Sequence, residues 1–203
     1  PEKIFLIVGD ISGKGMAAAL HMVQVQSIIH QVTINNHSPK SILLALNKNL
    51  KKILRKGSFF TVSLASINPG GVINFSRAGH MPLLYYSKKN NMCFNIIPKG
   101  IGIGLGNESI FENTLAEETI KPSPGDILAF YTDGVTETMN MYRQEFGEER
   151  LKNIIKNNAD KPVNNIKGEL LKSLSDYKDS YPSHDDFTIV LLKAKESIGF
   201  GEH

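Results

Sequence analysis

The sequence predicts an α+β fold with antiparallel sheets covered by segregated helix pairs, and three features of its patterning lead there. Strand-like segments arrive as consecutive hairpins, helical segments come in two pairs, and the two kinds do not alternate along the chain. An alternating parallel sheet of the dinucleotide-binding type is therefore disfavoured. No repeat period, low-complexity tract or Pro/Ser-rich linker divides the 203 residues. A single domain over residues 1–198 is expected, with residues 199–203 as a tail.

Residues 3–8 form a short apolar, β-branched run stopped by Gly9 and Asp10, the signature of a buried strand. Gly13, Lys14 and Gly15 then turn the chain into a helix over residues 16–32. There Ala18, Met22, Val25, Ile29 and Val32 recur at helical spacing opposite His21, Gln24, Ser27 and Gln31. Ser38 followed by Pro39 reads as an N-cap with proline at the first helical position, opening a second helix that carries Ile42, Leu43, Leu46, Leu50, Ile53 and Leu54. Strands over residues 59–67 and 72–76 flank the turn Asn68-Pro69-Gly70-Gly71, and strands over 82–86 and 92–97 flank Lys88-Lys89-Asn90-Asn91. A further strand is expected through about residues 111–120, and another over 127–131 runs up to Thr132-Asp133-Gly134. Helical periodicity returns over 148–157 and 163–177, and residues 187–193 form a last apolar strand.

Hydrophobic residues make up 41% of the chain and charged residues 21%, with a mean hydropathy of −0.16, the balance of a chain that folds around a core rather than staying disordered. No apolar run approaches the roughly 20 residues that cross a bilayer, so membrane insertion by this domain is not expected. One cysteine, Cys93, cannot close an internal disulfide, and no cationic and apolar leader opens the chain; both fit a cytoplasmic setting. Cys93 itself reads as a half-buried strand residue. The net charge of +3 is unevenly spread: residues 1–100 carry twelve Lys and Arg against two acids, residues 101–203 eleven against eighteen. The densest basic cluster, around Lys48, Lys51, Lys52, Arg55 and Lys56, has the spacing of a solvated helix end without interleaved aromatics, which argues against a nucleic-acid partner. Asp10 is the only acid between Lys3 and Lys99, beside an apolar strand. An isolated carboxylate there calls for a cation.

Three acidic positions share that context: Asp10 and Asp133 at strand ends, and Asp185-Asp186 just before a strand. Carboxylates gathered at a sheet's rim repel each other unless a cation neutralises them, and an oxygen-only donor set selects hard ions such as Mg²⁺ or Mn²⁺. Each one taken alone is equally a turn residue. Gly9-Asp10-Ile11-Ser12-Gly13-Lys14-Gly15 falls one residue short of a P-loop and puts Gly15 where a hydroxyl should bind Mg²⁺. The alternating Gly100, Gly102, Gly104 and Gly106 lack the flanking strand and helix of a dinucleotide site and read as a connection. His80 reads as a loop support before a general acid, and Ser12 lacks the His-Asp pair that activates a nucleophile.

Five segments, in order, then carry a resemblance: Gly9-Asp10-Ile11-Ser12-Gly13-Lys14-Gly15, Arg77-Ala78-Gly79-His80-Met81-Pro82, Tyr131-Thr132-Asp133-Gly134-Val135-Thr136-Glu137, Phe146-Gly147-Glu148-Glu149-Arg150-Leu151 and Asp185-Asp186-Phe187-Thr188. Together they resemble the SpoIIE-like branch of the PP2C-type (PPM) metal-dependent serine/threonine phosphatases over nearly the whole chain. The resemblance implies an α-β-β-α sandwich with two Mn²⁺ or Mg²⁺ ions at one edge. It implies a bridging role for Asp10 with the carbonyl of Ile11 beside it, and ion ligation by Asp133 and Asp185, with Asp186 as a supporting group.

It further implies hydrolysis of a phosphoserine or phosphothreonine on a partner protein, an anti-sigma-factor antagonist type of regulator, with a sensor domain upstream in the full-length protein and a homodimer among its assemblies. One departure stands out. The family's pattern places another acid in a Gly-Gly-Asp-like strand upstream, whereas nine residues precede Asp10 here and Glu2 is the sole acid among them. The expectation is a chain lacking the N-terminal hairpin, with a weakened second metal site. The rival reading is a catalytically degenerate PP2C-like module that binds or regulates without turnover.

Overall fold

The computed structural model describes residues 3–13, 15–35, 37–54, 57–179 and 186–195. Their contacts gather into two compact units, one built from the chain up to Pro82 together with Ile97–Lys121, the other from Leu83–Ile96 and the chain from Pro122 onward. The tail expected at 199–203 lies outside the described residues.

The first unit holds β1 (Ile4–Ile11), α1 (Met16–Asn35), α2 (Pro39–Leu50), β2 (Phe60–Ile67), β3 (Ile73–Ala78), α3 (Glu108–Thr114) and β6 (Glu117–Ile120). Its sheet runs β1-β2-β3-β6 with every neighbour antiparallel. The register pairs Gly9 with Val62 and Asp10 with Thr61. Thus the first strand continues through Gly9-Asp10 instead of stopping there, because opposite residues of β2 supply ladder partners as far as Ile11. The core joins Val25 and Val32 of α1 and Ile42, Leu43, Leu46 and Leu50 of α2 to Phe60, Val62 and Leu64 of β2. Ser38 caps α2 as expected, its hydroxyl accepting from Ser41 N while Ser41 Oγ accepts in return from Ser38 N, which closes a capping box. The helix ends at Leu50, so Ile53 and Leu54 fall in turns beyond it.

Two further expectations are corrected here. Residues 111–120 are not one strand: Asn107 accepts from Ile110 N through its side chain and starts α3, and only Glu117–Ile120 is extended. In α1, Val25 and Val32 are buried, but Met22 is 37% exposed and lies off the packed stripe. The helix instead shows solvent a second set of apolar residues, Met16, Leu20 and Val23 in its first half and Ile34 near its end.

The second unit holds β4 (Leu83–Ser87), β5 (Met92–Ile96), β7 (Ile127–Tyr131), α4 (Asp133–Thr136), α5 (Glu148–Asn157), α6 (Val163–Lys178) and β8 (Ile189–Lys193), with sheet order β5-β4-β7-β8, again antiparallel throughout. Every residue of β4 and β7 is buried. Helix α5 packs on β4 and β5 and α6 on β8, so the helix pair follows its own sheet. The short α4 was not separable from the preceding strand by periodicity, since four residues make barely one turn.

A buried turn leads into β7. Asp126 is 3% exposed and accepts from Lys88 N and Ser123 N at 2.8 Å and from the Tyr85 hydroxyl, satisfying its carboxylate. Burial, reinforced by the hydrogen bond to Asp126, raises the Tyr85 hydroxyl above the ordinary tyrosine value. Burial beside Glu148 does the same to Tyr131. Above about pH 10 the unfolded chain releases these protons while the folded chain keeps them, so stability falls with rising pH. Thermal or denaturant unfolding followed from pH 9 to 12 is expected to show this alkaline loss, and Tyr131→Phe is expected to flatten it by up to about one proton's worth, ~1.4 kcal/mol per pH unit. An unchanged slope in the variant would contradict the assignment.

Candidate functional site

Asp10 in the first unit is solvent-exposed on β1, between a buried Val8 and a buried Ile11. Its presentation depends on how closely β1 approaches β2. A Cβ on Gly9 would lie 2.7 Å from both the Phe60 ring and the Thr61 carbonyl oxygen, so only glycine fits at that register. Beyond Ile11 the strand is pinned again, Ser12 N donating to Phe59 O at 2.9 Å and Phe59 N to Ser12 Oγ at 2.8 Å. Ser12 thus serves the backbone, its hydroxyl oxygen accepting from Phe59 N.

His80 is 5% exposed and shares a 3.0 Å hydrogen bond through Nδ1 with Thr61 Oγ1, while its carbonyl accepts from Arg77 Nη1. The residue supports the loop after β3, as the sequence indicated. The sequence reading did not single out Thr61, whose register partner is Asp10; a threonine in a β-rich run carries no signal beyond strand propensity. The Gly100–Gly106 segment is the expected connection, laid against the start of β2 by the antiparallel bridge between Phe60 and Ile103.

Asp133 in the second unit is exposed in the first turn of α4, directly after β7. Thr132 stands at the N-cap position, yet its hydroxyl does not cap the helix. Thr132 Oγ1 accepts from Thr188 N at 2.9 Å, and Thr132 N donates to Thr188 O at 3.1 Å, so the start of β8 is bonded to the corner carrying Asp133. Gly134 completes this contact: a Cβ there would stand 2.4 Å from the carbonyl oxygen of Asp186. The chain at 186–188 therefore rides against the Asp133-Gly134 backbone. Asp186 is exposed on that segment; Asp185 lies outside the described residues. Among the described residues, no group of three or more His, Cys, Asp or Glu is placed to hold a metal ion. The exposed carboxylates of Asp10 and Asp133 are nonetheless the hard oxygen donors that Mg²⁺ and Mn²⁺ take.

The segment from Phe146 to Leu151 is structural. Burial pushes the Glu148 carboxyl up, but hydrogen bonds from Lys152 Nζ, from Asn95 Nδ2 at 2.8 Å and from the Tyr131 hydroxyl outweigh it and hold the group below the usual carboxylate value. Arg150 Nη1 donates to Phe146 O at 2.7 Å while its guanidinium lies 4.7 Å from the Tyr177 ring centre. Cys93 is half-buried in β5, and burial pushes its thiol up to about 11, so it offers no thiolate near neutral pH.

The family model described as Stage II sporulation protein E (SpoIIE) matches residues 1–195. The phosphoserine phosphatase RsbU of Bacillus subtilis (strain 168) is 28% identical over 198 residues, covering 96% of this chain and 56% of RsbU. The chain spans about half the length of the curated relatives it matches. Among solved structures, the RsbU and RsbW domains of Rv1364c from Mycobacterium tuberculosis align with a TM-score of 0.78 at 20% identity, over 95% of this chain and 52% of that one. A more distant structure, the catalytic domain of the serine/threonine protein phosphatase PstP in complex with two manganese ions, aligns with a TM-score of 0.65 at 10% identity, over 95% and 88%. These likenesses show the fold, an α+β arrangement with two antiparallel sheets of the PP2C type. With that fold, the five ordered motifs and a family match over almost the full length, this chain belongs to the SpoIIE family.

Proposed function

We propose that the chain is the catalytic domain of a metal-dependent protein phosphatase that hydrolyses phosphoserine or phosphothreonine on a regulatory protein of the anti-sigma-factor antagonist type, and that residues 1–198 act as one domain. The observation that carries the reading is the pair of motif aspartates, Asp10 and Asp133, each exposed beside a glycine whose close backbone contact admits no side chain. In this reading Asp10, the Ile11 carbonyl, Asp133 and Asp185 are the ligands of Mn²⁺ or Mg²⁺. Bound divalent cations supply Lewis-acid stabilisation of phosphoryl charge and activation of water for in-line attack.

What the chain's own residues contribute follows from their chemistry. Asp10 and Asp133 hold negative charge toward the cations, and the Thr132–Thr188 pair fixes the orientation of the Asp133 corner. Ser12 Oγ accepts from Phe59 N, and burial keeps the Cys93 thiol protonated near neutral pH. The name of RsbU as a phosphoserine phosphatase and the two manganese ions of PstP support both substrate class and cofactor. We assign the partner surface of a homodimer to the exposed apolar residues of α1, Met16, Leu20 and Val23 in its first half and Ile34 near its end, with Leu20 60% and Val23 62% exposed.

Turnover of para-nitrophenyl phosphate and of a phosphoserine protein is expected to require Mn²⁺ or Mg²⁺ and to vanish on chelation; full activity after exhaustive chelation would refute the mechanism. Asp10→Asn, Asp133→Asn and Asp185→Asn are each expected to lose more than roughly 100-fold in rate with unchanged circular dichroism, since each removes charge a cation needs, while His80→Ala loses less than about tenfold. Folded aspartate variants with near-normal rates would return these residues to a turn role, and a folded parent chain without turnover would favour the degenerate module. A Leu20→Asp/Val23→Asp double variant is expected to shift sedimentation from dimer to monomer without loss of helicity; a monomeric parent would remove the assignment of α1.

A further inference from the structure

Directly after α4, residues 138–146 form a narrow hairpin whose tip displays side chains the fold does not use. The bridge between Met139 and Glu145 joins its two arms. Asn140 organises the turn, its Oδ1 accepting from both Tyr142 N and Gln144 N at 3.0 Å while its carbonyl accepts from Arg143 N at 2.9 Å. The base is tied to the helix that begins with Asp133: Thr138 Oγ1 donates to Gly134 O at 2.7 Å, and Gly147 N to Thr136 O at 2.9 Å. From the other side the Tyr177 hydroxyl donates to Gln144 O and Glu145 O. The hairpin is a braced projection from the corner that carries Asp133.

At its tip Met141 is 62% and Tyr142 74% exposed, and Arg143 is exposed beside them. Arg143 also holds φ +58, a left-handed conformation that glycine or asparagine adopts at lower cost. Backbone economy therefore does not account for an arginine at this position. Arg143 is the sole base between Asp133 and Glu149, among Glu137, Glu145 and Glu148. An exposed Tyr and Arg on a braced support are side chains that anchor protein contacts, and the exposed Arg143 guanidinium at the tip is the group there that an acidic side chain of a ligand can pair with.

We propose that Met141, Tyr142 and Arg143 form the docking tip for the phosphoprotein substrate, with Arg143 meeting acidic residues beside the phosphorylated one and Tyr142 packing on its backbone. The inference rests on the phosphatase reading above. A small aryl phosphate carries no flanking chain and does not use the tip.

The test compares phosphorylated casein with para-nitrophenyl phosphate in Mn²⁺, using the parent chain and Tyr142→Ala, Arg143→Gly and Arg143→Lys. Expected is a rise in KM for casein of at least about fivefold in Tyr142→Ala and Arg143→Gly, partial retention in Arg143→Lys, and unchanged aryl phosphate kinetics. Arg143→Gly relieves the left-handed strain, so its melting temperature is expected to be equal or higher while casein KM worsens, a combination that a purely structural role would not give. An unchanged casein KM in both variants overturns the docking role, and so does an equal loss with both substrates. A parent chain that turns over neither substrate overturns the phosphatase reading and this inference with it, an outcome distinct from the other two.

Discussion

Close backbone approach at two corners is the constraint on which the presentation of the acids depends. Gly9 lets β1 lie against Phe60 and the Thr61 carbonyl, and Gly134 lets the Asp186 carbonyl lie against α4. A methyl group at Gly134 would have to displace the 186–188 segment. That displacement would break the reciprocal Thr132–Thr188 bonds and disturb the Tyr131–Ile189 pairing next to them. A carboxylate meant to hold a cation gains from such rigidity, because small hard ions tolerate little error in ligand position. Glycine is entropically costly inside a strand or helix, and at both positions the close backbone contact is what requires it.

Polar groups around these corners are largely spent on holding the backbone. Ser12 closes the β1–β2 end, Thr61 and His80 brace the loop after β3, and Glu148 gathers Lys152, Asn95 and Tyr131. Buried polar groups must find partners or cost stability, and a chain that uses them to fix loops has fewer left for chemistry. This narrows the candidates. Ser12, His80 and Cys93, the residues that invite a nucleophile or acid–base reading, are accounted for by packing and hydrogen bonds, while the carboxylates of Asp10 and Asp133 stand at the surface.

Much of the fold was legible because hairpins and caps are local. The Asn68-Pro69-Gly70-Gly71 turn, the Ser38-Pro39 start of α2 and the alternation of the central strands each carry their information within a few residues. Failures occurred where partners decide. Gly9-Asp10 looks like a strand stop until Val62 and Thr61 pair with it, and the stretch before Glu117 looks extended until the Asn107 cap is seen to nucleate α3. Asp10 and Asp133 stand out in the sequence because an acid at the end of an apolar strand is locally anomalous. Thr61, Thr132 and the bracing of the 138–146 hairpin by Tyr177 do not, since each acquires its role from a segment far along the chain.

Helix α1 poses a different problem, because its apolar residues exceed what its unit buries. Val25 and Val32 face the core, yet Met16, Leu20, Val23 and Ile34 remain open to solvent. Fully covering a side chain of this size is worth about 1.5–3 kcal/mol, so covering all four would contribute an amount comparable to the net stability of a typical domain. A helix so poised gains order from whatever covers it. Only four residues separate the end of β1 at Ile11 from the start of α1 at Met16, and α1 packs on β1 directly. Covering α1 by the pairing proposed above would therefore act at short range on the strand that carries Asp10.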